Sequence, residues 1–312
     1  MDHKFTFTVF TAAFNSARTL YRVYESLKEQ TFRDFEWLIV DDGSTDNTKE
    51  LIERWQREAE FTIRYFFQEN QGKHIAFNRA VKLAQGELFL PLDHDDACIP
   101  QTLERFLYHW NNIPNNLRDN FSGITCLCQD EKGNIVGDKF PRDVIDSDEL
   151  EMPHRYKVKG EKWGFHRINV LKQFPFPELP QVGYMPESIV WSAIAQRYKK
   201  RFINEPLRIY YTIEDTSAQL TKDTKLNLAK HALGRRLYHQ DNLNEYIGWI
   251  TYDPVDFLRS AVNYVRFSLH RGIGIKRQWC ELTNMEAKLL YMLGFPIGWL
   301  VYQSDKRGSS HL

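Results

Sequence analysis

Two carboxylates, Asp93 and Asp95, stand two residues apart at the end of an apolar stretch over 87–92. In an extended chain that spacing puts both side chains on one side, separated by two residue rises or about 6.5 Å. A pair so placed can offer hard oxygen ligands to a divalent cation that keeps several of its waters, and such a cation can bridge a diphosphate and neutralise charge on a departing phosphate. A second acidic pair, Asp41-Asp42, closes the apolar run 35–40 and leads into Gly43-Ser44-Thr45-Asp46. A carboxylate there can accept a hydrogen bond from a nucleobase N–H or a ribose hydroxyl. Each pair also has a plainer reading. The first suits a solvated acidic turn ahead of a helix at Pro100, and the second a helix-capping turn through Ser44, Thr45 or Asp46.

The elements that must position these acids favour the chemical reading. Phe5 to Val9 alternates with period two as a strand does; Asn15-Ser16 offers a helix cap, and Leu20, Val23, Tyr24 and Leu27 follow at helical spacing. Strands are expected at 35–40, 61–67 and 87–92, and helices at 51–55 and 72–84, the latter with Gly86 just past its end. This is a β-α-β-α-β-α-β order, the pattern of a mainly parallel sheet flanked by helices. In such sheets the loops at the carboxyl ends of the strands line the ligand crevice, so the two acidic loops should converge. Beyond Pro100 the pattern loosens into a helix at 101–111, a strand at 123–128 and a turn at 131–134, and from about 220 it reads as helices.

These residues, in this order, resemble the family-2 glycosyltransferases with the GT-A fold. The matching pieces are Thr8 to Asn15, Gln30 to Glu36, Val40 to Asp46, Asn70-Gln71-Gly72, Phe77-Asn78-Arg79-Ala80 and Asp93-His94-Asp95-Asp96. The resemblance is clear over 1–100, thins to landmarks as far as about 213 and is weak afterwards. It implies an α/β, Rossmann-like GT-A domain over 1–215, with a nucleotide-sugar half at 1–100 and an acceptor half at 101–215, followed by a helical extension at 216–312. It further implies a nucleotide-sugar donor, UDP-linked, a glycan or lipid-linked glycan acceptor, inversion at the sugar, a role in polysaccharide biosynthesis, and Mn²⁺ or Mg²⁺ as the metal. The loop Thr11, Ala12 and Phe14, together with Asp41 and Asp42, would hold base and ribose. Lys73 and Asn78 would lie near the donor, Asp93 would approach its ribose or the metal, and Asp95 would be the principal metal ligand. Two departures stand out. Thr-Ala-Ala-Phe-Asn replaces the family's frequent Pro-Thr-Tyr-Asn, and His94 occupies a position where a small residue is common; this histidine is expected to pack or hydrogen-bond.

Inversion requires a base to take the acceptor's proton. In the family it is an acid that starts a helix in the second half of the domain, and the match here is Glu187 in Pro186-Glu187-Ser188, where the family often has a second acid after the first. The plainer role for Glu187 is to stabilise the helix dipole, worth about 0.3–1 kcal/mol. Trp163, in Trp163-Gly164-Phe165, could stack on an acceptor sugar or belong to a buried aromatic cluster. The apolar run 289–301, followed by Lys306 and Arg307, contains Pro296 and Gly298 and is shorter than the ~20 residues that span a bilayer. It either lies in a membrane interface or docks against the rest of the protein.

Composition narrows the alternatives. Forty-one basic and forty-one acidic residues cancel, which gives no electrostatic footprint for nucleic acid. The four cysteines, Cys98, Cys126, Cys128 and Cys280, lack CxxC spacing and fit buried thiols in a reducing compartment. Met1 to Phe5 has no apolar leader, so a cytoplasmic protein, with peripheral contact to the membrane's cytoplasmic face if the C-terminal run lies there, is the expectation. A sugar nucleotidyltransferase would also use nucleotide, metal and paired acids, but no Gly-rich loop with a following basic residue cradles a triphosphate near the first strand. A non-catalytic nucleotide-sugar-binding module is the third reading, against which Glu187 argues.

Overall fold

A computed structural model describes residues 3–179, 182–211 and 225–307. The chain forms two compact units, Met1–Pro177 with Val190–Thr212, and Glu178–Ile189 with Ile213–Leu312. The domain boundary expected at 215/216 lies outside the described residues.

The first unit opens with β1 (Phe5–Ala13), α1 (Tyr21–Lys28), β2 (Phe35–Asp42), α2 (Thr48–Glu58), β3 (Thr62–Gln68), α3 (Lys73–Leu83) and β4 (Gly86–Pro91). It continues with β5 (Ala97–Cys98), α4 (Thr102–Asn111), β6 (Phe121–Gln129), β7 (Val144–Ser147), α5 (Glu151–His154), β8 (Lys162–Arg167), α6 (Ile168–Leu171), the part of α7 (Ser188–Ala195) from Val190 onward, and β9 (Lys199–Ile209). The strands make one nine-stranded sheet in the order β3-β2-β1-β4-β8-β6-β9-β5, with β7 paired to β9. The first four are parallel, β8 runs antiparallel between β4 and β6, and β6 and β9 are parallel.

All eight residues of β2 are buried, as a central parallel strand covered on both faces requires. One face carries Trp37, stacked with Tyr24 and Trp55, whose own ring centroids lie 4.4 Å apart. On β1, Phe10 packs against Phe77 and Phe89 on the other face. Glu36 is fully buried within β2, and its charge is met by Arg64 at 2.9 Å, by the Thr8 hydroxyl at 2.7 Å and by the Gln85 N–H at 2.7 Å. This cluster fixes the register of β1, β2 and β4 at the ends away from the acidic loops. A Cβ on Gly86 would sit 2.4 Å from the Thr8 nitrogen, so only glycine lets β4 begin beside β1.

Two expectations change. Asn15-Ser16 does not cap α1, which starts five residues later without a side-chain cap. Instead Asn15, at φ 50°, gives its N–H to the Ser44 hydroxyl and accepts from the Thr45 N–H, while the Ser16 N–H reaches the Thr48 hydroxyl. These bonds stitch the β1–α1 loop to the β2–α2 loop. The second change concerns Trp163. It lies on β8, only 5% exposed, with Phe106 at 5.5 Å and its indole N–H donating to the Pro91 carbonyl, so no face remains for a sugar to stack on.

The second unit contains α8 (Lys225–Asn244), α9 (Pro254–His270), α10 (Ile275–Cys280) and α11 (Met285–Arg307). The helix α11 runs unbroken through Pro296. It packs on α9 through Gly294 and Gly298, where a Cβ on Gly298 would come within 2.6 Å of the Val262 carbonyl oxygen, and its end is tied by Asp305 to Arg266 and His270. Cys98, Cys126 and Cys128 are buried free thiols and Cys280 is an exposed one.

Candidate active site

The carboxyl ends of β1, β2 and β4 carry the candidate residues Thr11 to Phe14, Asp41-Asp42 and Asp93 to Asp96. Parallel pairing of β1 with both neighbours brings these three loops side by side, with Ala13 opposite Asp41 and Phe10 opposite Pro91. Lys73 begins α3, directly after Gly72 at φ 100°.

The carboxylates divide by what already holds them. Asp41 accepts from the Ser44 N–H and the Tyr65 hydroxyl. Asp42, 4% exposed, accepts from the Gln68 amide at 2.8 Å and from the N–H groups of Gln71 and Gly72 at 2.9 and 2.8 Å. It therefore shapes the turn that launches α3. Asp93 accepts from Lys73 Nζ at 2.7 Å on one oxygen and from Arg208 at 3.2 Å on the other. Asp96 is buried, and one of its oxygens takes both the Nε of Arg208, at 2.7 Å, and a second guanidinium nitrogen, while the other takes the Tyr211 N–H. Asp95 differs from all of these: its side chain makes no hydrogen bond or ion pair among the described residues, while its backbone carbonyl is held by Arg22 at 2.9 Å. His94 hydrogen-bonds the Thr19 hydroxyl at 3.0 Å.

The electrostatics follow from these partners. Burial alone would raise the Asp93 carboxyl, but Lys73 and Arg208 outweigh it and hold it well below the usual carboxylate range. Burial pushes Asp96 up to about 6, against the pull of Arg208 and with help from the neighbouring Asp93 and Asp95 charges. Burial would lower the Arg208 guanidinium, but Asp93 and Asp96 raise it instead, so it stays charged.

Other candidates serve the framework. The Thr11 hydroxyl donates to the Leu92 carbonyl and accepts from the Trp37 indole, fixing β1 to the start of the acidic loop. Asn78 is buried, and its amide closes a two-way clamp with the backbone of Phe176, at 2.9 Å in each direction. Ala12 is partly exposed, and the Phe14 ring is 48% exposed at the mouth of the first loop. Glu187 is exposed in the turn directly ahead of α7 and belongs to the second unit. Sequence reasoning missed Arg208, Arg22, Thr19 and Tyr211. For Arg208 a signal existed: a cation between apolar neighbours in Pro206-Leu207-Arg208-Ile209, on a strand next to acids, needs a buried partner.

Among the described residues no three His, Cys, Asp or Glu side chains form a metal-holding group. A Mg²⁺ or Mn²⁺ ion that keeps waters and takes phosphate oxygens needs only one or two carboxylates, and Asp95 with the accessible edge of Asp93 fits that smaller demand.

Residues 8–121 match the family model described as glycosyl transferase family 2. That match spans the strands and helices that carry the acidic loops. An uncharacterized glycosyltransferase of Nostoc is 42% identical over 100 residues, which cover 32% of this chain and 31% of the relative. The GalNAc(5)-diNAcBac-PP-undecaprenol beta-1,3-glucosyltransferase of Campylobacter jejuni is 24% identical over 218 residues, 68% of this chain and 67% of the relative. The chain spans less than a third of the length of the first curated relatives it matches. Among solved structures, Staphylococcus aureus TarS 1–349 in complex with UDP-GlcNAc shares the fold at a TM-score of 0.57 and 17% identity, covering 97% of this chain and 92% of that one. The mannosyltransferase PcManGT of Pyrobaculum calidifontis, in complex with GDP-Man and Mn²⁺, does so at 0.55 and 16%, covering 97% and 85%. The chain thus has the mixed α/β GT-A fold.

Proposed function

We propose that this protein is a family-2 glycosyltransferase that moves a sugar from a nucleotide-diphosphate sugar, UDP-linked, to a glycan or lipid-linked glycan, with inversion and with the help of Mn²⁺ or Mg²⁺. The observation that carries the reading is Asp95, an uncommitted carboxylate in a loop whose every other acid is engaged, set at the carboxyl ends of parallel strands. TarS binds UDP-GlcNAc, PcManGT binds GDP-Man with Mn²⁺, and the Campylobacter relative is named for an undecaprenol-linked acceptor. The catalytic domain would occupy 1–215 and the helical extension 216–312.

In this mechanism Phe14 offers its exposed ring to the base, and Asp42 with Asp41 holds the loops that frame base and ribose. Asp95, joined by Asp93, is the share of the cation's shell that the protein supplies. The cation, when bound, neutralises charge on the departing diphosphate. Lys73 lies within reach of the same phosphates. Glu187 accepts the acceptor hydroxyl's proton as that oxygen bonds to the sugar carbon from the face opposite the nucleotide, and the carbon–phosphate oxygen bond breaks to release UDP. The exposed apolar face of α11, which ends in Lys306 and Arg307, supports a peripheral seat on the cytoplasmic face of a membrane, where a lipid-linked acceptor would be met.

The test is calorimetry of UDP with Mn²⁺ on the wild type and on Asp95→Asn, which keeps size but loses charge. Wild-type binding that falls at least tenfold in the variant, with the melting temperature unchanged, is expected; equal affinities would remove Asp95 from the metal site.

A further inference from the structure

The acidic loop is closed by two cations with different access to water. Arg208 is buried with its partner Asp96, at 8% and 2% side-chain exposure, and also reaches Asp93. Lys73 and Asp93 are both solvent-accessible, at 38% and 36%. Every residue of the loop is pinned, Asp93 by Lys73 and Arg208, His94 by Thr19, the Asp95 backbone by Arg22, and Asp96 by Arg208 and the Tyr211 N–H. The Arg22 guanidinium is itself seated on the Tyr211 ring at 4.0 Å. The Arg208–Asp96 contact is closed to water, whereas the Lys73–Asp93 pair is open to it.

Building on the nucleotide-sugar reading, we infer that Lys73 is a donor-sensitive latch on Asp93 and that Arg208 is the positioning residue against which it closes. With no diphosphate present, the ammonium 2.7 Å from Asp93 occupies the oxygen that a divalent cation would need, and the two cations repel each other there. Asp95 alone then holds a cation weakly. A donor diphosphate offers Lys73 a more highly charged partner; as the ammonium moves to it, the Asp93 oxygen is released to the cation. Arg208 keeps the other Asp93 oxygen and both ends of the loop in place throughout. Cation and nucleotide therefore bind cooperatively, and each must strengthen the other by the same factor.

A cation that bridges phosphates would give some cooperativity without any latch, so the deciding variant is Lys73→Met, at a solvent-accessible position, with its melting temperature compared with the wild type. Mn²⁺ affinity of the full chain is measured by electron paramagnetic resonance with and without saturating UDP, and UDP affinity by calorimetry. In the wild type, UDP should tighten Mn²⁺ at least tenfold. In Lys73→Met, Mn²⁺ binding without UDP should tighten several-fold while UDP binding weakens, so the coupling shrinks from both sides. Asp95→Asn should abolish Mn²⁺ binding in either background, which assigns the signal to this loop. Arg208→Lys should keep the coupling in part and Arg208→Met should lose it. If UDP binds but Lys73→Met leaves UDP-free Mn²⁺ affinity unchanged, Lys73 is only a phosphate ligand and the latch is overturned. If the wild type binds neither UDP nor Mn²⁺, the nucleotide-sugar reading itself falls.

Discussion

Asp93, Asp95 and Asp96 are the same side chain three times within four positions, and only their neighbours separate a committed ion pair from an open ligand. The positions of these acids were legible because strand and turn patterns place them at strand ends. Their commitments were not, since Arg208 lies more than a hundred residues downstream and Lys73 on another helix. The same holds for Asn78 and Asp42, which lie on α3 and at the end of β2 but whose polar atoms hold Phe176 and the 68–72 turn. Asp42→Ala should consequently destabilise the fold by about 1–3 kcal/mol, because donors that it satisfies are left buried and unpaired. Urea unfolding checks this, and an unchanged midpoint would mean water replaces the carboxylate at no cost. Glu187 is an exposed acid directly ahead of α7. Glu187→Gln should lower kcat by about 10²–10⁴-fold at unchanged UDP affinity, as loss of a general base does. A helix-terminal role alone would instead cost about 0.3–1 kcal/mol of stability and leave turnover nearly normal. Turnover and melting temperature taken on one preparation separate the two.

At the scale of elements, the strands and helices from β1 to β4, together with α4, could be read because each carries its own periodicity and is buried in the way that periodicity implies. Of the strands that complete the sheet, β6 was expected at 123–128, whereas β5, β7, β8 and β9 were not. Lys162 to Arg167 has a glycine at its centre and no clean alternation, and it becomes β8 because β4 and β6 flank it on both sides. Gly164 and Gly123 are what allow the approach, since a Cβ on Gly164 would fall 1.8 Å from the Ile124 carbonyl oxygen. In α11 two residues that commonly break helices are accommodated. Pro296 and Gly298 suggest an interruption, yet Pro296 faces solvent and Gly298 serves as the contact with α9. Gly298→Ala should therefore cost about 1–3 kcal/mol by overpacking against the Val262 backbone. The propensity argument runs the other way, for alanine in a helix is favoured over glycine by about 1 kcal/mol. A measured loss of stability shows that helix contact wins, and a gain would show that α9 and α11 part easily.

For the molecule as a whole, a net charge of zero conceals a strong local asymmetry. Met285, Leu289, Met292, Leu293, Ile297 and Leu300 recur at helical spacing along α11, each about half exposed or more, over roughly 23 Å of helix. From Leu289 to Ser304 there is no charged residue, and the stripe ends in exposed Lys306 and Arg307. Among the described residues no helix is long and apolar enough to cross a membrane. The occupant proposed for the exposed stripe is the boundary of a bilayer. The small-residue face of the helix is already spent on α9, which leaves large apolar side chains alone to make any outer contact. The full chain should sediment with vesicles containing anionic lipid, less so with neutral vesicles, and partly release in high salt as the basic end is screened. Leu293→Glu with Leu300→Glu should free it into the supernatant while leaving UDP affinity as in the wild type. The competing occupant is a second copy of the chain. If ultracentrifugation shows a dimer without lipid that the same double substitution dissolves, and vesicles fail to capture the wild type, the face is a protein interface and the bilayer assignment is wrong.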